Sequence, residues 1–145
     1  MVGHLSGEIE ENEFDKVISE NHLEPYVIFH GTLYGKELDD VFENADFAIG
    51  SLGRHRSGIT YIKTLKNREY AARGFSFIYS EIDTDFDNQP YVIKVAADES
   101  AVDIQRIIDF CQSNKITASE IRCSVSGLSW IFQMQKVLDS INSNY

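Results

Sequence analysis

Four short runs of β-branched and aromatic residues alternate with longer segments in which apolar residues recur at helical spacing. Each run has five residues, which suits a buried strand and is too short for a helix. The runs cover residues 26–30, 46–50, 75–79 and 91–95. The other segments predict helices over residues 8–22, 36–44, 59–73, 98–113, 117–124 and 128–142. Such alternation predicts parallel strands joined by right-handed helical crossovers, a doubly wound α/β layer.

Length and charge restrict the chain further. Its 145 residues, 43% of them hydrophobic, fit one domain over residues 1–145 with a hydrophobic core. The formal net charge of −10 would repel a duplex nucleic acid, so we expect no nucleic-acid partner. The two cysteines, Cys111 and Cys123, have no metal-ligand spacing and suit reduced thiols in a cytosolic protein. Because there is no signal-peptide pattern and no apolar run of membrane-spanning length, we expect a soluble, cytoplasmic protein.

Residues 51–80 form a basic stretch in an otherwise acidic chain. Glu69 is its one acid, and six cations fall within twenty residues: Arg54, Arg56, Lys63, Lys66, Arg68 and Arg73. We expect the loop at residues 51–57 to lie at the carboxyl ends of the parallel strands, together with the loops at residues 31–35 and 80–90. At this edge α/β proteins bind phosphate groups.

The turn before the helix predicted over residues 59–73 has the features of a diphosphate cradle. Ser57 can cap the helix, and Gly58 leaves room for a ligand. The first N–H groups of the helix, at Ile59 and Thr60, would point outward. The basic residues of the cradle come just before it: Arg54, His55 and Arg56. The alternative is an ordinary capped helix behind a solvated basic loop.

The position of Glu69 on this predicted helix is informative. At about 100° per residue it shares a stripe with Ile62 and Leu65, so we expect its carboxylate on or beside the apolar face. A carboxylate there needs a partner, and the hydroxyl groups of a sugar would serve. The alternative is an ion pair within the helix, with Lys66 or Arg73.

Two segments, HGTLYGKELDDVFENADFAIGSLGRHRSG and LKNREYAARGFSFIYS, resemble the donor-nucleotide domain of GT-B-type glycosyltransferases of the group 1 or family 4 kind. In that family a strand ending in F-x-G leads to an E-L helix, an A-D strand, a glycine loop and a helix closing on L-x-x-x-E-x-x-A-x-G. The matching residues here are Phe29, Gly31, Glu37, Leu38, Ala45, Asp46, Gly53, Gly58, Leu65, Glu69, Ala72 and Gly74. The similarity covers most of residues 1–142, including Val2-Gly3 at the start.

The resemblance implies a fold and a function. The chain would be a partial domain, the C-terminal half of a GT-B fold with a Rossmann-like parallel sheet flanked by helices. It would bind the nucleotide-sugar donor of a retaining, metal-independent transferase that acts on an acceptor such as a polysaccharide or a glycan precursor. The N-terminal half, which binds the acceptor, would be missing, and this fragment alone would transfer little. Any contact with the inner face of a membrane would come through that missing half.

The resemblance also assigns roles to residues. Glu69 matches the second glutamate of the family's E-x7-E motif, which holds the nucleotide ribose. Residues 58–60 would bind the diphosphate or the sugar, and Gly31 would head a loop close to the nucleobase. Tyr61 stands at the position of the first glutamate, so three nearby residues would replace its contacts: His55, Arg56 and Lys66. No residue pattern identifies a catalytic group.

Several alternatives stay open. Asp83-Thr84-Asp85 is a D-x-D sequence, which in GT-A-type glycosyltransferases binds a metal and the nucleotide diphosphate. A calcium loop is excluded by Asn88 and Lys94 at its sixth and twelfth positions, so we expect a solvated acidic loop and no metal cofactor. The helix at residues 128–142 is expected in the core; alternatively, part of it is exposed and pairs with a second copy. The alternative to a glycosyltransferase domain is that the whole chain is a non-catalytic, Rossmann-like interaction module.

Overall fold

The computed structural model describes the backbone of residues 8–143 and the side chains of residues 14–143. The predicted strand end at Val2-Gly3 lies outside the described residues. The chain divides into two compact units, Met1–Ala45 and Asp46–Tyr145, here called the N-terminal unit and the C-terminal unit. Within residues 8–143 the helices and strands are α1 (Glu8–Glu20), α2 (Gly35–Glu43), β1 (Ala48–Ile49), α3 (Leu65–Arg73), β2 (Phe77–Tyr79), β3 (Val92–Lys94), α4 (Ile104–Ser113), α5 (Ala118–Ser124) and α6 (Trp130–Asn142).

The three strands form one parallel sheet in the C-terminal unit, in the order β1-β2-β3. Ala48 lies opposite Phe77, and Phe77 lies opposite Val92. A parallel bridge between Tyr61 and Ile82 continues the pairing beyond β2. The prediction of an α/β fold with a parallel sheet is therefore confirmed. The sheet is small, and it is compatible with a Rossmann-like partial domain.

The two connections within the sheet differ. The chain passes from β1 to β2 through α3, as in a βαβ unit. From β2 to β3 it passes through turns at residues 80–91, with no helix. Because parallel strands are usually joined through a helix that packs on the sheet, this loop needs other interactions to hold its shape.

Five aromatic side chains form the core of the C-terminal unit. The ring of Phe77 on β2 is central, with its centroid 5.3 Å from Phe86, 5.7 Å from Tyr79, 6.0 Å from Tyr70 and 6.2 Å from Tyr91. These five residues, the aromatic cluster, are at most 8% exposed. Aromatic pairs of this kind contribute about 0.5–1.5 kcal/mol each beyond the burial of their area. The cluster therefore joins α3, β2 and the loop after β2 into one packed body.

The helix predicted over residues 59–73 begins only at Leu65. Thr64 is its N-cap, with a hydroxyl that accepts the N–H of Asn67 at 3.3 Å. Ser57 therefore does not cap this helix. Its predicted end is confirmed, because Gly74 adopts the left-handed conformation with a φ of 88°.

The reason for the late start of α3 is a tertiary contact. The N–H of Ile82 donates to the Thr60 carbonyl at 2.8 Å, and the N–H of Ile62 donates to the Ile82 carbonyl at 3.1 Å. These bonds hold residues 60–62 in an extended conformation beside the loop after β2. Pairing with a distant segment outweighs the helical periodicity of the local sequence.

In the N-terminal unit, the predicted helices are present as α1 and α2, but the strand predicted over residues 26–30 is wrong. The N–H groups of Tyr26 and Val27 donate to the Leu23 carbonyl, at 2.9 and 3.1 Å, in a turn. Tyr26 is 82% exposed and Ile28 is 62% exposed. A strand needs a neighbour for its N–H and C=O groups, and within residues 8–45 the structure contains none.

The helix predicted over residues 128–142 is α6, and its placement in the core is wrong. Trp130 is 80% exposed and Ile131 is 83% exposed. The helix packs against the short helical turn Ser126–Leu128. An apolar stripe indicates that a helix has a partner without identifying that partner. Pairing of α6 with a second copy stays a prediction.

None of the helices within residues 8–143 is both long and apolar enough to cross a membrane.

Gly74 and Gly58 both have a left-handed backbone, but only Gly74 is crowded by neighbouring atoms, so substituting each by alanine separates the two effects on stability. Both have positive φ, 88° and 68°. A Cβ on Gly74 would lie 2.7 Å from the Cβ of Ala118, whereas one on Gly58 would have nothing within 4 Å. We predict that Gly58→Ala lowers the free energy of unfolding by about 1 kcal/mol and Gly74→Ala by about 3 kcal/mol, because only Gly74→Ala pushes α3 from α5. Urea denaturation measures both values, and equal losses would contradict this explanation.

Candidate functional site

The carboxyl ends of the three parallel strands lie at one edge of the sheet, here called the carboxyl edge. Three loops leave it: residues 50–58 after β1, residues 80–91 after β2 and residues 95–103 after β3. The first two loops touch directly, because the N–H and the hydroxyl of Ser80 donate to the Ser51 carbonyl at 3.1 and 3.4 Å. The predicted meeting of these two loops is confirmed.

Two side chains of the loop after β1 hold a carboxylate from the loop after β3. Glu99 Oε1 accepts hydrogen bonds from Arg56 Nε and from His55 Nε2, both at 2.8 Å. Glu99 Oε2 accepts a further bond from Arg56 Nη2. These bonds, that of Arg56 above all, lower the pKa of Glu99 to about 2. The carboxyl edge therefore contains a set of three donors that is occupied by an anion of the protein itself.

A cavity of about 270 Å³ lies beside the loop after β3. Residues 94–96 and 100–103 line it, together with Asp98, with Leu52 from the loop after β1 and with Arg106 from α4. Small-molecule sites begin at about 300 Å³, so the cavity is close to the size of a ligand site. The segment that carries Glu99 therefore forms a wall of a small polar cavity.

Glu69 is not on the buried face of α3, so that expectation is wrong. Asn67 and Tyr70 belong to the buried face, and at about 100° per residue Glu69 lies on the opposite side of the helix from Asn67. Its side chain is 48% exposed and accepts a bond from Arg73 Nε at 3.1 Å, which is the ion pair of the alternative interpretation. The predicted stripe is instead the exposed side of α3, where Leu65 is 83% exposed, whereas the buried face carries Asn67, Tyr70 and Ala71.

The predicted cradle of outward N–H groups is not formed. The N–H of Gly58 donates to the His55 carbonyl at 2.9 Å, and the N–H of Ile59 donates to the Arg54 carbonyl at 3.2 Å. Both bonds close a short helical turn, so these groups are used within the loop. Thr60 precedes α3 and is not part of it. What the turn offers to a ligand is open space at Gly58, where a Cβ would have nothing within 4 Å.

The six cations of the basic stretch divide into two groups. Four of them pair with acids of the protein: Arg56, Lys63, Arg68 and Arg73. The other two, Arg54 and Lys66, are exposed, and neither has an ion-pair partner among residues 14–143. Much of the positive charge that the sequence suggested for a ligand is therefore neutralised by the fold.

The loop after β2 is held by ion pairs, one of them to a fully buried carboxylate, and sequence reasoning missed these pairs. Asp83 is fully buried, with its oxygens 3.0 and 3.3 Å from Nη1 and Nη2 of Arg68. Asp85 accepts a bond from Lys63 Nζ at 2.8 Å and another from Arg68 Nη2. The expectation of a solvated acidic loop is wrong. The sequence did contain a signal for these ion pairs, because acids recur at positions 83, 85 and 87 and the preceding stretch is rich in cations.

Asp87 completes this acidic network, which consists of Asp83, Asp85, Asp87 and their partners. Its Oδ1 accepts bonds from the Tyr79 hydroxyl at 2.7 Å and from Lys94 Nζ. Burial would raise the pKa of Asp87, but the bonds from Lys94 and Tyr79 outweigh it and hold the pKa below its usual value of 3.8. Burial would also raise the pKa of Asp85, but the bonds from Lys63 and Arg68 outweigh it and lower that pKa. Burial, followed by the bond to Asp87, raises the pKa of Tyr79.

Three side chains have buried polar atoms with no hydrogen-bond partner among the described residues, and one of these atoms is Nδ1 of His55. Glu81, which follows β2, is 1% exposed, and both of its carboxylate oxygens are unpaired. Asn67 Oδ1 on α3 is also buried and unpaired. Burying a carboxylate without donors is costly. The contacts of the described residues do not explain a glutamate at this position.

Comparisons of this chain with protein-family models, with curated proteins and with solved structures found no match. The roles that the resemblance gave to Glu69 and to Gly31, which lies in the N-terminal unit, stay predictions. The expectation that no metal takes part is also untested, although Asp83 and Asp85 of the D-x-D sequence bind protein cations. The functional assignment therefore starts from the side chains at the carboxyl edge.

The pair of Arg68 and Asp83 gives a stability prediction. We predict that Arg68→Ala lowers the free energy of unfolding by about 3 kcal/mol, because it leaves the buried Asp83 carboxylate without its partner. Adding Asp83→Asn should recover part of this loss, since a neutral amide costs less to bury. Arg106→Ala is the control, because among residues 14–143 the one hydrogen bond of that exposed guanidinium is a 3.5 Å bond to the Lys94 carbonyl. If urea denaturation gives the same loss for Arg68→Ala and Arg106→Ala, the prediction is wrong.

The lowered pKa values of Asp85 and Asp87 predict an acid-sensitive fold. A carboxylate with a folded pKa below its unfolded value stabilises the protein fully above about pH 5 and loses this effect as the pH falls below about 4. We predict a urea midpoint that is constant at neutral pH and declines on acidification. Asp87→Asn should lower the midpoint at neutral pH and flatten the decline. Asp109→Asn, which removes a carboxylate bonded to the Gln105 amide, should keep the wild-type slope. An unchanged slope for Asp87→Asn would refute the assignment.

Proposed function

We propose that this chain is the donor-binding domain of a retaining, metal-independent glycosyltransferase and that it binds a nucleotide-sugar at the carboxyl edge. The observation that carries the proposal is the exposed basic loop at residues 50–58, which follows β1 at the carboxyl end of a parallel sheet. Open α/β sheets bind ligands at this edge, and cationic side chains there suit a diphosphate. The resemblance of the motif residues points to the same class of ligand.

The cations of this region would bind and stabilise the diphosphate. Arg54 and Lys66 are exposed and have no ion-pair partner among residues 14–143, so both are available to a ligand. His55 and Arg56 belong to the same short turn as Arg54. As the bond to the sugar breaks, negative charge develops on the departing nucleoside diphosphate, and fixed cations stabilise that charge. Open space at Gly58 would let the ligand approach the backbone of the turn.

Glu69 would bind the ribose from the exposed side of α3. Its carboxylate is half exposed, and the bond from Arg73 Nε orients it. Each hydrogen bond from a ribose hydroxyl to this charged group would contribute about 1.5–3 kcal/mol. In this proposal the ligand contacts Glu69 on the solvent-exposed side of α3, whereas helical periodicity predicted Glu69 on the buried side.

Transfer itself would require a further domain that binds the acceptor, such as a polysaccharide or a glycan precursor. This chain alone would bind nucleotides weakly and transfer little sugar. We place the activity in the cytoplasm, and any contact with the inner face of the membrane would be made by the acceptor domain.

A second candidate, a non-catalytic Rossmann-like interaction module, is favoured by one observation. Four of the six cations of the basic stretch are already paired with acids of the protein. A basic stretch of this kind can serve the fold alone, in which case the chain has no nucleotide ligand. The two candidates differ in whether the isolated chain binds a nucleoside diphosphate.

Calorimetric titration with UDP and GDP tests the donor function. We predict that Arg54→Ala and Lys66→Ala each weaken nucleotide binding about fivefold, the effect of one exposed charge contact. Glu69→Gln should weaken the binding of UDP or GDP about tenfold and leave that of inorganic pyrophosphate unchanged, because pyrophosphate has no ribose.

Lys136→Ala serves as the control for a loss of positive charge, since Lys136 is an exposed lysine on α6 outside the basic stretch. Its nucleotide affinity should equal that of the wild type. If neither UDP nor GDP binds, or if Arg54→Ala, Lys66→Ala and Glu69→Gln all bind them like the wild type, the donor function is refuted and the interaction module is the better description.

A further inference from the structure

The contact between Glu99 and the turn that carries His55 and Arg56 has the geometry of an occupied anion site. We infer that His55 and Arg56 form a binding site for a phosphate-type anion, that Glu99 occupies it in the absence of ligand, and that the ligand must displace Glu99 to bind. The identity of this ligand as the diphosphate of a nucleotide rests on the proposed function. The site itself rests on the contacts of these three side chains.

The donors are arranged as a phosphate group requires. Arg56 presents Nε and Nη2 to the two oxygens of one carboxylate, and His55 adds Nε2 at 2.8 Å from the same Oε1 that Arg56 Nε contacts. Two-pronged binding by a guanidinium is the mode by which arginine binds both carboxylates and phosphates. The carboxylate comes from a different loop, 43 residues along the chain from Arg56. It therefore lies where an incoming anion would place its oxygens.

Exposure makes this carboxylate displaceable. The Glu99 side chain is 64% exposed and that of Arg56 is 70% exposed, whereas His55 is 18% exposed and holds its place in the turn. Ion pairs at the surface contribute little to stability, because water and salt screen them. Breaking the contact therefore costs the fold little, and an anion that forms stronger bonds can replace it.

The tethered carboxylate also sets which anions can enter. A side chain on the same molecule competes at an effective concentration of about millimolar, so a free carboxylate with the same chemistry gains nothing over it. A diphosphate has more charge and more acceptor oxygens, and Arg54 in the same turn can add a contact. Glu99 would thus select phosphate-type anions against monocarboxylates. When Glu99 is released, the loop that carries it and lines the 270 Å³ cavity would also lose its contact with the turn of His55 and Arg56.

Titration of the full chain with inorganic pyrophosphate and with acetate tests the inference. We expect Glu99→Gln to bind pyrophosphate about fivefold more tightly than the wild type, because the competing charge is gone. Acetate, which the wild type should exclude, should bind detectably to Glu99→Gln. Asp109→Asn removes one negative charge from α4 and should match the wild type. Adding Arg56→Ala to Glu99→Gln should abolish the gain.

A second measurement uses the wild-type chain without any substitution. Pyrophosphate should shift the NMR signals of the His55 ring, since the ring exchanges a carboxylate for a phosphate oxygen. If the His55 signals do not move, or if Glu99→Gln binds pyrophosphate no better than Asp109→Asn does, the inference is overturned.

The site and the proposed donor function can fail separately. If Glu99→Gln gains affinity for pyrophosphate while UDP and GDP bind no better than pyrophosphate, the anion site stands and the donor function fails. If UDP binds the wild type, Glu69→Gln weakens it and Glu99→Gln changes nothing, the donor function stands and the displacement of Glu99 is refuted.

Discussion

The packing of the C-terminal unit depends on the ion pair between the buried carboxylate of Asp83 and the guanidinium of Arg68. Asp83 is fully buried, and Arg68 on α3 binds it through two nitrogens. The guanidinium also lies 5.4 Å from the ring centroid of Phe86, a member of the aromatic cluster. The ionic and the aromatic contacts therefore meet at one side chain, and together they fix the distance of α3 from the loop after β2. Without this pair, that loop would have neither a crossover helix nor a neutralised carboxylate to hold it.

The parts of the fold that depend on local pattern were predictable from the sequence. Short apolar runs identified β1, β2 and β3, and helical spacing identified the six helices of residues 8–143, although α3 and α4 each begin about six residues later than predicted. Gly74 identified the end of α3, because a left-handed cap strongly favours glycine. These features are fixed by a few neighbouring residues, and no distant partner is needed to produce them.

The parts that depend on distant partners were not predictable. Residues 26–30 have the composition of a strand but no neighbouring strand within residues 8–45, and α3 starts late because residues 60–62 pair with Ile82. The error for Glu69 arose because the buried face of α3 carries Asn67, Tyr70 and Ala71, while Leu65 and Glu69 are on its exposed side. At the candidate site, His55 and Arg56 were identified by their charge, and the structure places them at the carboxyl edge. Their partner Glu99 was not identified, since nothing local links positions so far apart in sequence.

The division of the basic stretch between fold and ligand has a consequence for how such a site can change. Lys63 and Arg68 hold the loop after β2, whereas Arg54 and Lys66 are exposed without ion-pair partners among residues 14–143. A mutation that released Arg68 toward a ligand would take a cation from the buried Asp83, and one that released Lys63 would take a cation from the partly buried Asp85, so either would weaken the fold. A change at Arg54 or Lys66 has no such cost. Affinity at this edge can therefore vary freely through one pair of cations, while the other pair is constrained by the trade-off between stability and function.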